Sequence, residues 1–194
     1  MHRFMTGLAR AMAMLGGVVL TALILITCVS VLGRTLNTML HSGLAEAVLG
    51  GFAKTLLDTG VGPILGDFEL VEAGIAFSIF AFLPLCQITG GHASVDIFTS
   101  KLPVRVNRFI TLVGEVLFAL VLALIAWRLY AGMQSKMLYG ETTFLLQFPI
   151  WWAYAASFAA ALLAAVVSAY VAVVRLGEFL TNREIIAAQE GAEH

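Results

Sequence analysis

Charge is scarce in this chain. Of its 194 residues only 12% are charged, about half the usual share of a soluble domain. Hydrophobic residues make up 60%, and the mean hydropathy is +0.95. Both an ordinary soluble fold and a disordered chain are excluded by that apolar content. Basic charge is not in excess: 11 Lys and Arg face 12 Asp and Glu, a formal net charge of -1. A nucleic-acid partner is therefore not expected, because such partners need a basic surface. There are two cysteines, Cys28 and Cys86, in different apolar segments; they form neither a CxxC redox pair nor a disulfide framework. The four histidines are His2, His41, His92 and His194. None falls inside a long apolar run, where a membrane haem protein needs its axial ligands. The chain carries no P-loop, HExxH or nucleophile elbow. No catalytic residue, metal ligand or cofactor site is assigned from these residues.

Long apolar runs are abundant. Ala11–Gly33, Ala73–Gly91, Phe109–Trp127 and Phe144–Val174 together hold a single charged side chain, Glu115. About 20 helical residues cross a hydrocarbon core of about 30 Å. Strict alternation is absent, and only helices or closed barrels satisfy their backbone in lipid. The expected fold is therefore an all-α integral membrane protein of four transmembrane helices, with short interfacial helices. The spans are placed at about 11–33, 70–90, 108–130 and 148–175, in one membrane domain. The first run is longer than the apolar core of a signal peptide and lacks a clear cleavage site, which reads as a retained helix. Lys and Arg divide seven against four in favour of both termini in the cytoplasm.

Between spans 1 and 2 lies an outer segment, 34–68, in which Leu36, Leu40, Leu44, Val48, Phe52 and Leu56 recur every four residues. That spacing predicts an amphipathic interfacial helix. From Arg34 to Glu72 two basic residues face five acidic ones. Glu69 and Glu72 open span 2 one turn apart, where the helix dipole favours negative charge. Pro84 should kink that span. Ser94 and Asp96 suit the start of a short cytoplasmic interfacial helix over 94–102, which Pro103 stops. Glu115, two turns beyond Arg108, is a candidate intramembrane polar contact, either with another helix or by snorkelling.

Span 4 is rich in small residues. Ser157, Ala160, Ala161, Ala164, Ala165 and Ser168 form an inclined track that suits close helix packing in lipid. Its partner is either another helix of this chain or a second subunit; we take it as a candidate subunit face. Trp151, Trp152 and Tyr154 suit an interfacial aromatic belt. The polar residues 176–194 read as a cytoplasmic tail.

Three stretches carry a family resemblance: Phe68-Glu69-Leu-Val-Glu72; Gly90-Gly-His92-Ala-Ser-Val-Asp96 followed by Leu102-Pro103; and Glu141-Thr-Thr followed by Phe148-Pro149-Ile-Trp151-Trp152-Ala-Tyr154. With four spans in this order, the chain resembles the DctQ-type small membrane subunit of tripartite ATP-independent periplasmic (TRAP) transporters. The resemblance implies a bacterial inner-membrane importer, driven by sodium, for an organic acid. It implies three kinds of contact: a large membrane subunit, a periplasmic substrate-binding protein and membrane lipids. It assigns this chain a scaffold role without enzymatic activity. It implies structural roles for Glu69, Glu72, His92, Asp96, Pro103, Pro149, Trp151 and Trp152. Gly-Gly before His92 and the long segment 34–68 depart from the pattern. The alternative is a four-helix electron-transfer or assembly protein of the membrane.

Overall fold

A computed structural model of the chain describes residues 2–41, 62–90 and 103–181. Four helices account for most of them: α1 (His2–Leu40), α2 (Asp67–Thr89), α3 (Val104–Tyr139) and α4 (Trp151–Thr181). No strand occurs among the described residues. All four helices are long and apolar enough to cross a membrane. His92, Asp96, the interfacial helix over 94–102, most of the outer amphipathic segment and the distal tail lie outside the described residues.

Several boundaries differ from the sequence reading. α1 runs through Arg34 to Leu40, so the first residues of the outer segment continue the span. Nothing between 34 and 40 breaks a helix, and the Thr35 and Thr38 hydroxyls donate to carbonyls four residues back, at 2.9 Å each. α2 is continuous through Pro84, which is buried. Pro103 stands just before α3, and its carbonyl accepts the Val106 and Asn107 amides. α4 continues past Arg175 to Thr181, because Arg175 finds a partner within the helix at Glu178 (2.9 Å). Glycines in the left-handed region end α2 at Gly90 and α3 at Gly140, where their backbone costs least.

The helices pack in the spatial order α1, α2, α4, α3. α1 buries one narrow row, Ala9, Gly16, Leu23 and Ser30, each seven residues from the next. The facing row on α2 is Asp67, Gly74, Ala81 and Ile88, with the same spacing and the opposite direction. A Cβ on Gly16 would lie 2.8 Å from that of Ala81, and one on Gly74 would lie 2.8 Å from Leu23 Cδ1. Paired seven-residue repeats keep two helices in register over their length. Glycine is needed here for close approach, since lipid offers no hydrophobic drive between helices and contact must come from packing.

α4 lies between α2 and α3. Ser157, Ala160, Ala161, Ala164, Val167, Ser168, Val171 and Ala172 are buried along it. The small-residue track is therefore used inside the chain, and this corrects the reading of Ser157, Ala160, Ala161, Ala164 and Ser168 as a face open to a large subunit; Ala165 is half-buried beside them. The physical reason is position. The helix between two others needs small side chains on two flanks, whereas its outward flank carries Trp152, Leu162, Val166 and Val173. On α3 the residues turned inward are Leu112, Glu115, Ala119, Leu122, Ala126 and Leu129, again at alternating intervals of three and four. The remaining faces of α1 and α3 are exposed and apolar, as a surface in contact with lipid or another membrane protein must be.

Candidate functional site

At the start of α2 the chain must turn sharply into a helix. Gly66 makes the turn at φ 80°, with the Leu146 side chain against it. Asp67 follows, buried, with Arg34 of α1 at 3.8 Å. The Arg34 guanidinium also lies 5.5 Å from the centre of the Phe68 ring. On the neighbouring turn the Ser30 hydroxyl accepts the Ile64 amide at 3.2 Å. These contacts close the α1–α2 seam at this end.

Glu69 does more than complement the helix dipole. One carboxylate oxygen accepts the Leu145 amide at 2.6 Å and the other accepts the Leu146 amide at 2.9 Å. Those amides belong to the connection from α3 to α4, more than 70 residues along the chain. The connection folds back on itself: the Thr143 amide donates to the Phe148 carbonyl at 3.0 Å, and the Ile150 amide to that of Glu141 at 3.0 Å. Gln147 sits at φ 55° in the tip. Lys136 of α3 reaches Glu141 at 2.5 Å. The Pro149 carbonyl then accepts the Trp152 amide at 3.1 Å and starts α4. Trp151 and Trp152 meet edge to face, with ring centres 6.1 Å apart. The first and third sequence stretches thus come together in space, with Glu69 as the joint. Glu72, Tyr154 and Ser157 line a cavity beside that joint.

At the opposite end a second polar group crosses the bundle. The Gln87 side-chain amide on α2 donates to the Glu115 carboxylate on α3. Glu115 is thus a helix contact rather than a snorkelling group. Arg175 of α4 lies within electrostatic reach of Glu115 and pairs with Glu178 at 2.9 Å. Gln87 and Glu178 are buried. Sequence reading had not singled out Gln87. It is the one amide in an otherwise apolar run, as Glu115 is the one carboxylate in its own, and that shared rarity was the available signal.

Four apolar helices, joined at both ends by fixed polar contacts, define a multi-pass membrane protein. Comparison with known families settles which kind. Residues 23–178 match the family described as "Tripartite ATP-independent periplasmic transporters, DctQ component". The chain belongs to that family, a family of transporter components and not of enzymes. Membership implies association, in general, with a large membrane subunit and a substrate-binding protein. No curated protein and no solved structure matches the chain.

Proposed function

We propose that this chain is the small, stationary membrane subunit of a sodium-driven importer of an organic acid, set in the bacterial inner membrane with both termini in the cytoplasm. It pairs with a large membrane subunit that carries the substrate, and the pair receives substrate from a periplasmic binding protein. One observation carries the scaffold reading: Glu115, Arg175, Asp67 and Glu69, charged side chains of the apolar helices, are each committed to a contact that fixes the fold. Glu115 is held by Gln87, Arg175 by Glu178, Asp67 by Arg34 and Glu69 by the α3–α4 connection. A carrier of an organic anion needs polar groups near mid-membrane that can exchange partners with substrate. Here those groups tie helices together, which suits a rigid support. The broad apolar faces of α1 and α3 suit a partner within the membrane.

The test is recovery and reconstitution. A C-terminally tagged chain purified from its native host in mild detergent should bring down one much larger polytopic protein in equal amount. Vesicles containing this chain alone should take up no organic acid under a sodium gradient; vesicles with both membrane subunits and the binding protein should. Uptake by the chain alone, or purification with a haem absorption band and no partner, would overturn the proposal.

A further inference from the structure

Beside the Glu69 joint lies a cavity of about 280 Å³ between α2, α3, α4 and the α3–α4 connection. Its walls are mainly apolar, formed by residues such as Ala76, Leu129 and Phe148. Two carboxylates, Glu69 and Glu72, lie among the lining residues, and among the described residues no basic side chain does. Glu69 is engaged by two neutral amides, which leave its charge uncompensated. Glu72 is exposed and makes no hydrogen bond or ion pair among the described residues. Ser157 also lines the cavity. It is only 3% exposed, yet its hydroxyl makes no hydrogen bond among the described residues. Ser157 is thus a nearly buried side chain that borders the cavity with its hydrogen-bonding capacity unused among the described residues, whereas such groups are normally satisfied.

We infer that this cavity receives a basic side chain, a lysine or arginine, from the partner membrane subunit. The inference rests on the subunit reading above and names the chemistry of one contact in it. The two carboxylates supply charge for an ammonium or guanidinium, and the apolar walls suit the aliphatic stem of such a side chain. The same charge repels an organic anion, so the cavity does not suit the cargo. A phospholipid headgroup fits less well, because even one that carries an ammonium brings a phosphate close to the two carboxylates.

The experiment uses the full chain, tagged and purified with its partner from the native host. Glu72→Lys should retain about tenfold less of the large subunit than wild type, or lower still. Glu72→Gln should fall between the two, and Glu72→Asp should stay near wild type. Glu72 is exposed, so the helix content of each variant chain should match wild type. Full partner recovery by Glu72→Lys would overturn the inference and leave the subunit reading intact. So would variants that keep the partner but lose a copurifying lipid. A wild-type chain that recovers no large membrane protein would instead overturn the subunit reading itself.

Discussion

Replacing Gln87 with leucine removes the amide that donates to Glu115 while keeping side-chain volume and apolar packing on α2. The carboxylate then loses a donor in a half-buried position. A hydrogen bond to a charged group contributes about 1.5–3 kcal/mol. Arg175 nearby offsets part of the loss, so we expect a cost near the lower bound, about 1.5 kcal/mol. Glu115→Gln keeps a neutral hydrogen bond between helices and should cost less, about 0.6–1.7 kcal/mol. Glu115→Leu leaves the buried Gln87 amide without this acceptor and should cost about 1–3 kcal/mol. The double variant Gln87→Leu/Glu115→Leu removes both polar groups and should lie within about 1 kcal/mol of wild type. The resulting coupling energy, the sum of the two single costs less that of the double variant, is about 3 kcal/mol. The assay is reversible unfolding in mixed micelles with rising SDS fraction, followed by far-ultraviolet circular dichroism. Additive single-variant costs, with a coupling energy indistinguishable from zero, would show that the two side chains act independently and that the link between α2 and α3 is not energetic.

Three further outcomes are expected. Ala164→Leu should destabilise the isolated chain by about 1–3 kcal/mol through overpacking between α4 and its neighbours; a variant as stable as wild type on its own would place Ala164 on an open face after all. Gly16→Leu should separate α1 from α2, since even a Cβ there meets Ala81 at 2.8 Å. A cysteine pair at Ala9 and Ile88 should then crosslink far less well than in the parent, and equal crosslinking would refute the close seam. Glu69→Ala should release the α3–α4 connection, seen as faster hydrogen exchange at the Leu145 and Leu146 amides with unchanged exchange in α1; unchanged exchange at those two amides would show that the joint does not hold the connection.

The spans, their number and the membrane setting were legible in the linear chain, because hydropathy is a local property and lipid demands long uncharged helices. Their ends were not marked by charges: α1 starts at His2, with Arg10 inside it, and α3 runs past Arg128 to Tyr139, because a helix continues beyond the hydrocarbon wherever its backbone bonds stay satisfied. The family was legible in three short stretches whose order relative to the spans is distinctive. The helix extensions to Leu40 and Thr181 were harder to read: polar composition there suggested an interface or tail, while local hydrogen bonds and the Arg175–Glu178 pair continue the helix. Glu115 was recognisable as costly, but its partner was not, since Gln87 lies 28 residues away.

By itself, then, the sequence determined that this protein is a four-helix membrane component and that small residues crowd one helix. Only the tertiary structure decided which helices are neighbours. In lipid both the buried and the exposed faces of a span are apolar, so hydrophobic periodicity does not tell them apart. The placement of α4 between α2 and α3 turns its small residues inward. It also brings Glu69 under the α3–α4 connection, Gln87 to Glu115, and Glu72 and Ser157 to one cavity. Each of these depends on side chains far apart in the chain meeting where close helix packing leaves them no other arrangement.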